Sequence, residues 1–204
     1  MKPLQMKLST LVTAAVLATS ALVANAETIT FSGVSTGAKS DGYTLGGISF
    51  SDSIGSNLYV ADYGDQSHGS ALSVGSDDGS MLEMSFGNAT SLSLEFGNDD
   101  PEHSHSGDRA WLKTYFDDTL VGSTWVKLNR DDDMNQTISL SGGTFNNAVF
   151  YYGNASGSAI SLIEVVDNIN LGPVVAAVPE PQTYAMLFAG LAAIGFVARR
   201  RRRD

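Results

Sequence analysis

Short segments in which apolar and polar residues alternate fill the central part of the chain, and they restrict its fold more than any other feature. The clearest is Leu92–Phe96, where leucine, leucine and phenylalanine alternate with serine and glutamate. A period of two is typical of half-buried antiparallel strands. Glycine, serine, asparagine and aspartate separate the segments, and no stretch between Glu27 and Gly172 has a sustained helical period. About ten such strands predict an all-β fold, a jelly-roll-like β-sandwich.

We assign this predicted sandwich to residues 27–173, a length that can bury a core without disulfides. The chain has no cysteine, which excludes a disulfide framework, thiolate metal sites and a cysteine nucleophile. Between Glu27 and Val178 lie 20 of the 22 acidic residues and only five basic ones, a formal charge near −15. This charge repels nucleic acid and anionic lipid, so we expect no nucleic-acid partner. The charged partners that suit such a domain are cations, and solubility alone explains the acidity equally well.

The first 26 residues have the layout of a secretory signal peptide. Two lysines precede an apolar stretch that ends near Val23, and Ala24 and Ala26 supply the small residues that a signal peptidase recognises. We predict cleavage after Ala26, which makes Glu27 the mature N-terminus. An uncleaved membrane anchor is the alternative, disfavoured because the stretch is short and rich in threonine, serine and alanine.

The other end of the chain combines a proline motif, an apolar segment and a basic end. Residues 174–181 form a predicted linker that ends in Val178, Pro179, Glu180 and Pro181. The two prolines disfavour a helix there and leave Glu180 on extended, accessible chain.

A single transmembrane sorting helix is predicted at residues 182–198. Its uncharged part, Tyr184–Ala198, would cover only ~22 Å as a helix, less than the ~30 Å hydrocarbon core of a bilayer. Residues 199–204 follow as a basic cytoplasmic end, because its arginines do not cross a bilayer easily. The preceding domain then lies outside, which is the topology that the signal peptide gives independently. The arginines are Arg199, Arg200, Arg201, Arg202 and Arg203.

Together, the Val-Pro-Glu-Pro motif, the apolar segment and the arginines resemble the PEP-CTERM sorting signal, over Val178–Asp204. The resemblance implies an exported protein that the inner membrane holds briefly. A membrane-embedded exosortase then processes it at or near the tail and releases it to the cell surface or beyond. Its implied partners are signal peptidase, exosortase and extracellular polysaccharide, since the family is typical of Gram-negative bacteria that make such polymers. The family is defined by its sorting signal, so it implies no single activity.

The central segment also resembles a broad set of bacterial extracellular β-sandwiches. The passages that carry this resemblance are Leu92–Asp100 and Ser161–Leu171, the latter with a hydrophobic-Asp-Asn-hydrophobic pattern at Val166–Ile169. Related sandwiches include carbohydrate-binding modules with a structural calcium. This likeness concerns the fold and not the function.

The loop Gly97–Trp111 is the richest in candidate ligands. Carboxylate and amide oxygens suit calcium, whereas His103 and His105 are candidates for a zinc or copper site, with only His68 as a further imidazole. A solvated acidic loop without metal is the preferred interpretation, calcium the second and a transition metal the third. A second acidic segment, Asn129–Asn135, is predicted to be a solvated turn, with ion binding as the alternative. The sequence establishes no cofactor, and calcium is the candidate ion. Its candidate ligands are Asn98, Asp99, Asp100 and Asp108.

The sequence has no motif for catalysis: no G-x-S-x-G, no H-E-x-x-H and no phosphate loop. Four aromatic residues offer a sugar-stacking surface, although aromatic residues in strands are more often core. They are Trp111, Trp125, Tyr151 and Tyr152.

Three functions follow, in order of preference. The first is a non-catalytic surface or matrix protein associated with exopolysaccharide or biofilm, the second a calcium-dependent carbohydrate-binding module, and the third a hydrolase acting on extracellular polysaccharide. Exposed aromatic residues near the Gly97–Trp111 loop would favour the second, and carboxylates that converge in a cleft would favour the third.

Overall fold

The computed structural model describes residues 27–173 and Leu191. The predicted signal peptide, the linker at 174–181, the basic end and, apart from Leu191, the sorting helix lie outside the described residues. Within the described part, no helix is long and apolar enough to cross a bilayer. Eleven strands and one 3-10 helix (Gly64–Gln66) are present there. The strands are β1 (Glu27–Ile29), β2 (Gly37–Lys39), β3 (Tyr43–Leu45), β4 (Ile48–Asp52), β5 (Leu58–Asp62), β6 (Ser70–Ser73), β7 (Leu82–Gly97), β8 (Arg109–Phe116), β9 (Thr119–Lys127), β10 (Gln136–Gly153) and β11 (Val165–Pro173).

Two tight hairpins follow directly from local sequence. Gly46 and Gly47 join β3 to β4, and Asp117 and Asp118 join β8 to β9. All four residues have positive φ, from 44° to 74°. A two-residue hairpin turn of this type needs positive φ at both positions, which glycine adopts freely and aspartate tolerates.

Two long strands, β7 and β10, have different neighbouring strands along their first and second parts. The start of β7 pairs with β4, and its second part, from Ala89, pairs with β11. In β10 the second part, from Asn147, pairs with β8, after register shifts that begin at Ser141. We call β1, β2, β5, β6 and β11 the first half-sheet, and β3, β4, β8 and β9 the second half-sheet. Since β7 and β10 run through both, hydrogen bonding is continuous and forms one eleven-stranded antiparallel sheet.

The two half-sheets enclose a shared core. Phe96, on the part of β7 that pairs with β11, packs against Phe150 and Tyr152, on the part of β10 that pairs with β8. Its ring centroid lies 5.6 Å from that of Phe150 and 6.0 Å from that of Tyr152. All three side chains are buried, and burial of each phenylalanine contributes about 1.5–3 kcal/mol to folding. The sheet therefore folds over its own apolar face, and the prediction of an all-β sandwich is confirmed.

Candidate functional site

A row of three aromatic side chains crosses the outer face of the second half-sheet. The register places Tyr151 of β10 opposite Trp111 of β8, and Trp111 opposite Trp125 of β9. The Tyr151 and Trp111 rings stack nearly parallel, with centroids 6.4 Å apart, and the Trp111 and Trp125 centroids are 6.5 Å apart. Strand β9 ends the sheet order, so Trp125 remains 46% exposed. The row thus changes from a buried tyrosine to an accessible tryptophan.

Alternation along β8 explains why these rings face outward. Ala110, Leu112 and Thr114 point into the protein and are fully buried, which leaves the odd-numbered positions on the outer face. Two polar contacts fix the ring positions. The Tyr151 hydroxyl donates to the Gly157 carbonyl at 2.9 Å, and the Trp111 indole nitrogen donates to the Asn154 carbonyl at 3.2 Å.

Three cationic side chains surround the aromatic row. The Arg109 guanidinium lies 3.7 Å from the Trp125 ring centroid, and the Lys113 ammonium lies 5.1 Å from that of Tyr151. Lys127 is the cross-strand partner of Arg109. Cations held over ring faces in this way are attracted by the ring quadrupole. We call this surface the tryptophan face. It consists of Arg109, Trp111, Lys113, Trp125, Lys127 and Tyr151.

A groove of about 370 Å³ adjoins the tryptophan face. It runs over β7, β10 and β8, and Lys113 and Tyr151 line both the groove and the face. The groove also has an amide, hydroxyls and two carboxylates along its walls, from Asn147, Ser85, Tyr115, Glu83 and Asp118. A small number of polar groups beside aromatic side chains is typical of sites that orient a small ligand or a polymer unit.

The predicted calcium ligands form hydrogen bonds within and between loops. Asp99 is buried, and its two carboxylate oxygens accept the backbone N–H groups of Arg130 and Asp132 at 2.5 and 2.9 Å. The Asp108 carboxylate accepts a hydrogen bond from the backbone N–H of His105, in the same loop, at 2.7 Å. The Asn98 amide donates to the Ile163 carbonyl at 2.7 Å.

Asp100 interacts with the adjacent turn. Its carboxylate accepts the Glu102 N–H at 2.7 Å and lies 2.8 Å from His103 Nδ1. The Glu102 N–H and then the imidazole of His103 hold the pKa of Asp100 below its usual value. Asp100 in turn raises the pKa of His103. In the described part of the chain, no three histidine, aspartate or glutamate side chains are grouped to hold a metal ion. The calcium site stays a prediction.

The structure joins two acidic loops that the sequence left separate. Asp99 connects the Gly97–Trp111 loop to the Asn129–Asn135 segment, and the Arg130 guanidinium donates back to the Pro101 carbonyl at 2.7 Å. Partial desolvation and then the carboxylate of Asp131 raise the pKa of Asp133. The two loops lie 31 residues apart at this contact, and no motif in either one indicates the other.

Residues 177–203 match the PEP-CTERM protein-sorting motif. The chain has a PEP-CTERM sorting signal. It is therefore an exported protein sorted to the cell surface through an exosortase. The match covers only the tail and says nothing about the activity of the sandwich.

Two solved structures are similar to the chain. One is the C-terminal family 22 carbohydrate binding module of Clostridium thermocellum Xyn10B, with 9% identity and a TM-score of 0.38 over 74% of this chain and 95% of that one. The other is a DUF4465 family protein from Bacteroides caccae, with 13% identity and a TM-score of 0.38 over 72% of this chain and 99% of that one. We draw no conclusion about binding from either. No curated protein matches the chain.

Proposed function

We propose that this exported protein is a non-catalytic surface protein whose sandwich binds extracellular polysaccharide through the tryptophan face. The observation that supports the proposal is the exposed Trp125, at the end of a stacked aromatic row and close to a polar groove. An indole ring offers a large, rigid apolar area at low entropic cost. The C–H face of a sugar ring fits such a surface, while the amide and hydroxyl groups of the groove hydrogen-bond to its hydroxyls.

The destination of the protein agrees with this ligand class. The sorting signal sends the domain to the outside of the cell, where extracellular polysaccharide is available to a surface protein. Association with exopolysaccharide in a biofilm is the biological form of the proposal. Calcium is not needed for it, because no residue of the tryptophan face is one of the predicted calcium ligands.

Replacement of Trp125 by alanine tests the proposal. We expect the variant to bind polysaccharide about tenfold more weakly, a loss of ~1.4 kcal/mol of binding free energy. Affinity electrophoresis of the secreted protein through polysaccharide gels measures this loss. Tyr59→Ala is the matched control, because Tyr59 is also an exposed strand aromatic, at 40%, but lies on β5 of the first half-sheet. Equal binding by wild type and Trp125→Ala, or equal losses in both variants, would contradict the proposal.

A hydrolase is the second candidate, because Glu83 and Asp118 line one groove. Glycoside hydrolysis uses two carboxylates on either side of the scissile bond. If the protein is such an enzyme, reducing ends appear when it is incubated with a polysaccharide that it binds, and Glu83→Gln abolishes them. We expect binding without release of reducing ends.

A further inference from the structure

The basic residues of the sandwich are concentrated on one surface. Residues 27–178 have a formal charge near −15 and five basic side chains. Three of these five, Arg109, Lys113 and Lys127, belong to the tryptophan face. In an acidic domain, this is the surface where an anion meets the least repulsion.

The three cations have no carboxylate partner. Within residues 27–173, the contacts between a basic side chain and a carboxylate are His103–Asp100 and His105–Asp108, each an ion pair only when the histidine is protonated. Arg109 donates one hydrogen bond, to the Ala155 carbonyl at 3.2 Å, so most of its five donors remain available. Lys113 and Lys127 form neither a hydrogen bond nor an ion pair with the described residues, although Glu83 and Asp118 line the same groove as Lys113.

The other two basic residues are used within the fold. Arg130 donates to the Pro101 carbonyl and to Ser104 Oγ, at 2.7 and 3.2 Å, and so connects the two acidic loops. Lys39 donates to the Ser35 carbonyl at 2.6 Å and lies over the Tyr43 ring. The unpaired cations are therefore the ones beside the aromatic row.

The spacing of these cations suits a polymer with repeated charges. Arg109 and Lys127 lie on one side of the aromatic row, and Lys113 lies on the other. Arg109 and Lys113 are four residues apart on β8, about 13 Å at ~3.3 Å per residue. A polymer that lies along Trp125 and Trp111 would pass between these cations, with Arg109 and Lys127 along one edge and Lys113 along the other.

We infer that the ligand of the tryptophan face is an anionic polysaccharide, whose carboxylate or sulfate groups pair with Arg109, Lys113 and Lys127. The inference rests on the proposed function and specifies its ligand class. A guanidinium binds such groups with two parallel hydrogen bonds, and an ammonium acts as a point charge. At physiological ionic strength the Debye length is ~8 Å, so the domain's more distant carboxylates repel the polymer little.

Two matched pairs of polymers test the inference with the secreted, processed protein. They are polygalacturonate with its fully methyl-esterified form, and dextran sulfate with dextran. By isothermal titration calorimetry we expect the anionic member of at least one pair to bind about tenfold more tightly than its neutral partner. Arg109→Gln and Lys113→Gln should each weaken binding of that anionic polymer by about fivefold.

Lys39→Gln is the control, because it removes the same charge from a lysine that also lies over a tyrosine ring, on β2. It should bind like wild type, and unchanged melting temperatures should show that all variants fold. Equal binding of anionic and neutral polymers, or equal effects of Lys39→Gln and Lys113→Gln, would overturn the inference. If only the neutral polymers bind, and Trp125→Ala loses that binding, the inference is overturned but the proposed function stands. If no polymer of either pair binds, both are overturned.

Discussion

Glu164 is a carboxyl group buried within the sandwich. It is 1% exposed, one oxygen accepts the Tyr152 N–H at 3.2 Å, and the other has no hydrogen-bond partner. Burial, and to a smaller extent the carboxylates of Asp52 and Asp78, raises the pKa of Glu164 well above its usual value. Between the usual pKa of glutamate and this raised pKa, the folded protein keeps a proton there that the unfolded chain releases.

This group makes stability fall as the pH rises above the usual pKa of glutamate. In that range the native state binds more protons than the unfolded state, so the free energy of unfolding decreases with pH, by up to ~1.4 kcal/mol per unit. The decrease continues until the raised pKa of Glu164 is reached. Glu164→Gln keeps an oxygen acceptor for Tyr152 and has no proton to lose. We expect urea denaturation between about pH 5 and pH 8 to show a flatter profile for Glu164→Gln and a more stable variant at pH 8.

The control for this experiment is Glu83→Gln, on an exposed position of β7. It should keep the slope of the wild type. A Glu164→Gln profile parallel to that of the wild type would mean that the carboxyl group is ionised in the folded protein.

Individual residues also show where inference from sequence succeeded and failed. Among the four predicted aromatic candidates, Trp125 is exposed and Tyr152 is fully buried. Period-two alternation predicts opposite faces for Tyr151 and Tyr152, yet Tyr151 is buried as well. The cause is a tertiary contact: Trp111 stacks on its ring and its hydroxyl reaches the Gly157 carbonyl. Alternation specifies the face of the sheet on which a residue lies, but not which side chains from other strands cover it.

Elements of secondary structure were predicted in type but not in length. The segments "MLEMSF" and "TSLSLEFG" look like two strands, as do "QTISLSG" and "FNNAVFYYG", because glycine and asparagine interrupt each pair. In the structure each pair of segments forms one long strand, β7 or β10. The interruptions lie where the pairing partner of β7 changes from β4 to β11 and where the register of β10 shifts. A break in a strand and a turn between strands have the same local composition, and only the pairing distinguishes them.

The segment Ser76–Ser80 (SDDGS), whose Asp-Gly pair predicts a hairpin turn, shows the same limit. Gly79 has a positive φ of 78°, as an Asp-Gly turn requires. However, β11 lies between β6 and β7 in the sheet, so the segment does not connect neighbouring strands. Its prediction as a hairpin turn was wrong, although the turn itself is present.

At the element scale, two glycines of β7 should respond differently to the same substitution. A methyl group at Gly97 would meet the Gln66 carbonyl oxygen at 2.3 Å, whereas a methyl group at Gly87 would meet nothing within 4 Å. Backbone cannot move aside as a side chain can, so Gly97→Ala should destabilise the protein by about 1–3 kcal/mol. Gly87→Ala should be close to neutral or slightly stabilising. Thermal denaturation of both variants checks this, and equal melting temperatures would mean that the 3-10 helix at Gly64–Gln66 is not held against β7.

At the scale of the whole molecule, the sorting signal and the proposed binding surface belong to different parts of the chain. The sorting motif occupies residues 177–203, and the tryptophan face lies within residues 27–173. The tail was predictable because three local features occur there in a fixed order: Pro-Glu-Pro, an apolar segment and five arginines. The tryptophan face was predictable only as a set of aromatic residues, because its cations and its groove depend on the pairing of β7, β8, β9 and β10.

Processing at both ends should make the released protein more acidic than its precursor. The intact chain has a net charge of −10, and residues 27–178 have a formal charge near −15, because two lysines and five arginines lie in the end segments. We expect intact mass spectrometry of protein from the cell surface to show a start at Glu27 and an end near Pro179–Pro181. Isoelectric focusing should show a shift to lower pI.

In cells without exosortase, the tailed and less acidic form should accumulate in the inner membrane, because the arginines still hold its end in the cytoplasm. Surface protein that retains Arg199–Arg203 would contradict processing at the motif.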